Sequence, residues 1–373
     1  MMREVVMFEF TPTPRIKRSP FHESIVKDGV KSFYPYNNMF LPTGYGNPEK
    51  EYWRLINSVS MWDVACQRQV EITGPDALNL AQILSPRDLS VFSVGQSKYI
   101  AMCDHRGVII NDPILSKLDQ NKYWFSIADS KVLFWARAIA AEKKLNVNII
   151  EPDVSPLAIQ GPKAVDVVSS IFGDWVKDLK YFYFKETSIN KIPILLVRSG
   201  WSKQGGFEIY LKDGSKGNEL WELVKEAGKP WGIGPGYPNT TERIESGLLS
   251  WGGDTDDNTN PYEVRLGKYV DLDVPDDVIG IDALRQIKQV GPTRHQLGII
   301  LDDNEKFKSH GIWYDILVNN EKVGDMTCGI WSNRLEKNIG LSLVSIKVQP
   351  GDKVSLNKEG RIYSATMTEL PFI

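Results

Sequence analysis

Two pairs of residues in this 373-residue chain have the types and spacing to do chemistry on a small polar molecule. Glu208 and Tyr210 stand two apart in Gly206-Phe-Glu-Ile-Tyr-Leu211, an alternating apolar/polar run. Strand side chains alternate faces, so Phe207, Ile209 and Leu211 turn to a core while Glu208 and Tyr210 share the opposite face. A carboxylate beside a phenol suits a flat, donor-rich ring: the acid offers two acceptor oxygens, the phenol an apolar plate with a polar tip. The same alternation also suits the wet face of a half-buried sheet. The second pair is Tyr99, ahead of the turn Asp104-His-Arg-Gly107, and Asp112, at the end of the run that follows it. An aspartate there also fits a simple turn cap.

Each pair needs a hairpin to hold it, and the sequence carries two in parallel. Val70-Glu-Ile-Thr-Gly-Pro-Asp-Ala-Leu78 and Leu157-Ala-Ile-Gln-Gly-Pro-Lys-Ala-Val165 both read as strand, Gly-Pro, helix. Each is followed by a hairpin, 98–103 with 108–115 and 194–199 with 207–211. This echo predicts an α+β fold of two pseudo-duplicated, ferredoxin-like β-α-β-β lobes, with both acid–tyrosine pairs facing the cleft between them. Ahead of the echo, residues 1 to about 50 are rich in turn formers and aromatics and predict irregular structure. Tyr52, Leu55, Ile56 and Val59 then have helical spacing over 49–59. From about 288, short runs at 296–301, 315–318, 322–326, 339–343, 353–356 and 361–366 predict a small C-terminal β-barrel. The expected division is 1–285 for two intertwined lobes, the second with its core at about 50–135, and 286–373 for the barrel.

Bulk properties narrow the partners. Lysine and arginine number 44 against 47 aspartates and glutamates, a net charge of −3 without a basic block, which argues against a nucleic-acid surface. Cys66, Cys103 and Cys328 lie far apart, and His22, His105, His295 and His310 form no ligand pair, so neither disulfides nor a metal site are expected. The apolar stretch Val5-Val-Met-Phe8 is too short for a signal segment, and no eighteen-residue apolar run occurs, so the expectation is a cytoplasmic protein with no membrane partner. Gly232-Ile-Gly-Pro-Gly236 contains proline and follows no clear strand, so a dinucleotide site is not expected. A monomer or a homodimer is compatible with all of this.

Several stretches, taken in order, resemble the glycine-cleavage T-protein (aminomethyltransferase) family of tetrahydrofolate enzymes. Gly200-Trp-Ser-Lys-Gln-Gly-Gly-Phe-Glu-Ile209 stands in place of its Gly-Tyr-Thr-Gly-Glu-Asp-Gly-[Phe/Tyr]-Glu-[Ile/Val] hairpin. Val59-Ser-Met-Trp-Asp-Val-Ala65, Gly95-Gln-Ser-Lys-Tyr99, Gly107-Val-Ile-Ile-Asn-Asp112 and Glu242-Arg-Ile-Glu-Ser-Gly247 are similar to other segments of that family. The resemblance implies tetrahydrofolate in the cleft as the acceptor of a one-carbon group. It implies Glu208 on the pterin amino edge, Tyr210 bracing the ring, and Asp112 as the catalytic carboxylate near N5. Tyr99 and Arg243 are further cofactor-binding candidates, although Arg243 could equally clamp a helix through Glu245.

Three donor-side segments depart from the family pattern: Pro35-Tyr-Asn-Asn-Met39, Ser126-Ile-Ala-Asp-Ser130 and Gly200-Trp-Ser-Lys203. Aromatic residues are dense around them, and an aromatic wall suits a cation that has no hydrogen-bond donor. This combination is similar to the branch of the family that moves a methyl group from a sulfonium, dimethylsulfoniopropionate, to tetrahydrofolate. That likeness implies Tyr34, Ser126, Asp129, Ser130, Trp175 and Trp201 as substrate-binding residues. The alternatives are aminomethyl transfer from a lipoyl carrier, as in glycine cleavage, and a non-catalytic folate-binding assembly factor. The Lys-Gly-Cys-[Tyr/Phe]-x-Gly-Gln-Glu signature of the latter is missing from Asn260-Pro-Tyr-Glu-Val-Arg-Leu-Gly267.

Overall fold

The internal echo folds as the sequence predicts, into two strand–Gly-Pro–helix units. In this computed structural model, which describes residues 13–373 apart from Asn304, His310 and Glu359, strand Gln69–Thr73 leads to helix Ala77–Ile83. Strand Ser155–Gln160 leads to helix Ala164–Phe172 in the same way. Both linking glycines hold a left-handed backbone, with φ of +124° at Gly74 and +128° at Gly161. A Cβ would sit 2.6 Å from the Asn146 carbonyl in the first unit and 2.5 Å from the Ser58 carbonyl in the second, so glycine is required twice for the same reason. Val5–Phe8 and His310, named above, lie outside the described residues.

Each unit contributes to its own antiparallel-rich sheet. The first sheet has five strands in the order Asn148–Ile150, Gln69–Thr73, Lys122–Ser126, Ile114–Asp119, Ser97–Tyr99. The second has six: Phe184–Ile189, Ile192–Val197, Gly206–Leu211, Ser155–Gln160, Ser60–Asp63, Gly234–Gly236. Strand Ser60–Asp63 precedes the first unit in sequence yet pairs inside the second sheet, and Gly234–Gly236 joins it in parallel, so the lobes are interlaced. The second sheet buries Leu157, Ile159, Leu196, Phe207 and Ile209 under helices His22–Lys27, Ala164–Phe172 and Gly217–Gly228. Its other face meets the first sheet through Trp124, Leu195, Val197 and Tyr210.

Three local expectations need correction. Residues 1 to about 50 are not wholly irregular: Ser32–Tyr36 and Met39–Gly44 form a hairpin after helix His22–Lys27. Its turn is Asn37-Asn38, with φ of +50° and +59°, the left-handed pair that a tight two-residue hairpin turn demands and that asparagine tolerates. The helix expected at 49–59 runs Pro48–Asn57, capped by Asn47 accepting the Lys50 N–H at 2.9 Å, and stops before strand Ser60–Asp63. The first hairpin is broken in the middle. Ser97–Tyr99 pairs with Ile114–Asp119 in the five-stranded sheet, while Met102–Cys103 pairs with Ile109–Asn111 in a separate ribbon. Asp112 stands in the gap ahead of Pro113.

The C-terminal strands Arg294–Leu301, Tyr314–Val318, Glu321–Ser332, Lys337–Ser345, Lys353–Lys358 and Arg361–Thr368 close into a barrel. Helix Thr240–Glu245 ties it to the lobes. Glu245, fully buried, accepts from Tyr52 at 2.9 Å, from Ser332 at 2.5 Å and from Arg334. Cys66, Cys103 and Cys328 are all buried and unpaired. His22 stacks on Phe33, and His295 Nε2 bonds the Val348 carbonyl at 2.8 Å. Among the described residues no helix is long and apolar enough to cross a membrane.

Candidate active site

The alternation of strand Gly206–Leu211 aims Glu208 and Tyr210 at the five-stranded sheet, while Phe207, Ile209 and Leu211 enter the helix-covered core. This face is dry: Glu208 is 5% and Tyr210 2% exposed. Tyr210 lies flat on Trp124, with rings 6.5 Å apart and 10° from parallel. The Tyr210 hydroxyl donates to Glu208 and accepts from Ser126, which in turn accepts from Gln69 Nε2 at 3.0 Å. Ser199 donates to Glu208 from the other arm of the hairpin. Burial pushes the Glu208 carboxyl above its usual range, against the pull of the Ser199 and Tyr210 hydroxyls. The result is a buried carboxyl held in place by two neutral donors, with no cation among the described groups acting on it.

Asp112 is arranged alike. Tyr99, the last residue of its strand, donates its hydroxyl to Asp112 Oδ2 at 2.7 Å across the break in the first hairpin. Burial lifts the Asp112 carboxyl to about 7, opposed by the bonds from Tyr99 and from its own backbone N–H. Tyr36, from the N-terminal hairpin, lies within electrostatic range of Asp112, and its hydroxyl accepts the Asp129 backbone N–H.

A run of tyrosines joins the two carboxyls. Tyr99 meets Tyr269 edge to face at 5.0 Å, and Tyr181 lies within range of both Tyr269 and Glu208. Tyr181 is placed by a crossing between lobes: Ser97 N–H bonds the Phe182 carbonyl at 2.6 Å, Phe184 N–H bonds the Gly95 carbonyl at 2.9 Å, and Phe182 itself takes φ of +62°. Tyr181 remains 57% exposed, so this wall reaches solvent. Sequence reasoning missed Ser199, Tyr269 and the role of Tyr181. It also missed Asn37 and Asn111, which are buried and hold the 127–130 loop through the Ile127 and Ala128 carbonyls. The only local signal for Asn111 was its place beside Asp112.

The remaining candidates separate. Ser126 reaches the Glu208–Tyr210 chain. Asp129 and Ser130 use their side chains on the loop, accepting from Asn37 N–H and Asn111 Nδ2, each at 2.8 Å. Tyr34 lies on the exposed edge of the N-terminal hairpin. Trp175 packs at the margin of the helix-covered core with Lys185 Nζ 4.5 Å above its ring, and is not brought to either carboxyl. Trp201 donates to the Leu249 carbonyl at 3.3 Å, with Arg243 above its ring. Arg243 pairs with buried Asp254 at 2.7 Å rather than with Glu245, because Glu245 is already taken by Tyr52, Ser332 and Arg334. It acts as a clamp beneath the barrel. Among the described residues no group of His, Cys, Asp and Glu could hold a metal ion.

Comparison with known proteins agrees with this architecture. Residues 21–274 match the GCVT N-terminal domain, and residues 294–373 match the glycine cleavage T-protein C-terminal barrel domain. The dimethylsulfoniopropionate demethylase of Ruegeria pomeroyi is 39% identical over 91% of this chain and 92% of its own length. The aminomethyltransferase of Symbiobacterium thermophilum is 32% identical over 96% and 97%. The crystal structure of the glycine cleavage system aminomethyltransferase T of Bartonella henselae, 22% identical, superposes with a TM-score of 0.83 over 96% of this chain and 98% of that one, a likeness of fold. On both domain matches and the extent of these identities, the chain belongs to the glycine-cleavage T-protein family.

Proposed function

We propose that this protein is a tetrahydrofolate-dependent methyltransferase that demethylates dimethylsulfoniopropionate, giving 5-methyltetrahydrofolate and methylthiopropionate. The observation that carries the reading is Asp112: an enclosed carboxyl bonded by Tyr99 and backbone, with no cation among the groups acting on it, beside tyrosine rings. A donor that brings its own positive charge and no hydrogen to donate suits such a place. Glu208, buried and held by Ser199 and Tyr210, would meet the donor-rich pterin edge with its remaining lone pairs.

The reaction asks for alignment more than for acid–base apparatus. The N5 lone pair of tetrahydrofolate forms a bond to the methyl carbon as the carbon–sulfur bond breaks, and its electron pair stays on sulfur, leaving a neutral thioether. Positive charge passes from sulfur to N5, and a carboxylate at Asp112 beside the reacting atoms would stabilise it at both ends of that transfer. The proton then shed by N5 goes to Asp112, whose value near 7 suits an acceptor at neutral pH. Fixing N5, carbon and sulfur in line accounts for roughly 7–11 kcal/mol of the barrier.

The 32% identity to an aminomethyltransferase over nearly the full length of both chains favours a second reading, aminomethyl transfer from a lipoyl carrier. Purified protein incubated with tetrahydrofolate and dimethylsulfoniopropionate separates the two. Direct formation of 5-methyltetrahydrofolate without ammonia is expected, whereas a requirement for aminomethylated lipoyl protein and release of ammonia would establish the other reaction.

A further inference from the structure

Behind the Glu208–Tyr210 chain lies a cavity of about 360 Å³ that reaches neither Asp112 nor Glu208; Ser130 lines it, its hydroxyl bonded to Asn111 Nδ2. Gln69 forms the partition: it lines this cavity and its Nε2 bonds Ser126, which bonds Tyr210 on the other side. Cations from three separate segments converge on the cavity, Arg15 and Lys17, then Arg68, then Lys131. Among the described residues they face a single carboxylate, Glu151, already engaged by Arg68 through Nε at 2.7 Å. Four positive groups against one negative leave a surplus of three.

The same mouth is the N-terminus of the eleven-residue helix Val132–Glu142, whose N-cap is Lys131. No side chain caps this helix and no acidic residue occupies its first turn, so its positive dipole end is left for an anion. The walls are hydrocarbon, from Val70, Ile127 and Leu133, and Phe134 stands 63% exposed at the rim. Gln69, 1% exposed, has an Oε1 with no hydrogen-bond partner. An acceptor left unpaired in a wall calls for a donor on whatever fills the space.

We propose that this cavity binds a small organic carboxylate with an apolar body and an amide N–H, the chemistry of an N-acyl amino acid. The carboxylate meets Lys17, Lys131 and the helix end, the apolar body lies on Leu133 and Phe134, and the amide N–H reaches the Gln69 oxygen. This site stands apart from the methyl-transfer reading and is tested without folate or methyl donor.

Hippurate, N-benzoylglycine, carries all three features and is the probe. Titration calorimetry on the full chain at low salt should show saturable binding, weakened by salt, and no binding of the uncharged N-benzoylglycinamide. Lys17→Gln and Lys131→Gln remove exposed charges without touching the core, and each should weaken hippurate about fivefold. The parent showing no saturable heat up to about 20 mM hippurate would overturn the proposal. Equal affinity in the parent and the double variant would overturn it too, by placing the probe elsewhere.

Discussion

Replacing Asp112 by asparagine should stabilise the unliganded protein while disabling it, and the stabilisation should depend on pH. The carboxyl rises from an ordinary 3.8 to about 7 in the fold, a difference of about 3. At ~1.4 kcal/mol for each pH unit, keeping it ionised costs at most about 4 kcal/mol. Asp112 keeps some solvent contact, and asparagine brings an amide that must itself be accommodated, so about 2 kcal/mol is the expected gain. The sign follows from the raised value. The contribution of Asp112 to stability is fully present below about pH 4 and is lost as the pH rises through about 7. Asparagine does not titrate. Urea unfolding of parent and Asp112→Asn at about pH 4 and about pH 8.5 should therefore give matching stabilities at the lower pH and a mutant that is more stable at the higher. Turnover of the mutant should fall by about 100-fold or more with tetrahydrofolate still bound, because the lost group acts on the reacting centre. A gap that does not change with pH, or a mutant less stable at pH 8.5, would refute the account of Asp112 as an enclosed carboxyl without a cation.

Other perturbations test the surrounding structure. Glu208→Gln should weaken tetrahydrofolate by about 1.5–3 kcal/mol in a fluorescence titration, since a charged acceptor becomes partly a donor facing donors. Ser199→Ala should weaken it less, by about 1 kcal/mol, through loss of the hydroxyl that steadies Glu208, and unchanged affinity would remove Ser199 from the site. Gly161→Ala should cost about 3 kcal/mol or more in denaturant unfolding, because a Cβ there meets the Ser58 carbonyl at 2.5 Å under a left-handed backbone. Glu245→Ala should cost about 3–5 kcal/mol by stranding Arg334 and two hydroxyls where the barrel meets the lobes; a loss below 1 kcal/mol would show that junction to be dispensable.

What could be read from the sequence was local and periodic. The shared face of Glu208 and Tyr210 follows from a two-residue repeat, and the duplication from two Gly-Pro junctions whose glycines meet the same backbone constraint. The barrel strands were legible for the same reason, although most run longer than their apolar cores suggested. What escaped depended on contacts far apart in the chain. Nothing near Tyr269 or Tyr181 marks them as neighbours of Tyr99 and Glu208. Glu245, the partner offered for Arg243 as an alternative to a cofactor role, is claimed by residues 52, 332 and 334, and Arg243 pairs with Asp254 instead. Trp175 was grouped with the donor side by aromatic content, and aromatic content alone did not reveal that it packs partly buried against the helix-covered core. The Asn37-Asn38 turn was readable in principle, but Pro35 masked the strand before it.

The strand that crosses between lobes also sets a timetable. Ser60 pairs with Gly234, 174 residues later, and the second sheet lacks its outer strand until that point has been synthesised. At bacterial-to-eukaryotic elongation speeds of roughly 5–20 residues per second, Ser60–Asp63 is synthesised roughly 9–35 s before Gly234–Gly236 exists. Once Ser155–Gln160 has paired with it, and until Gly234–Gly236 follows, Met61 and Trp62, buried in the finished protein, lie on an open sheet edge able to pair with other chains. Interlacing therefore makes the nascent chain a natural client for chaperones, and it predicts that fragments cut between the lobes will be recovered as aggregates rather than as half-proteins.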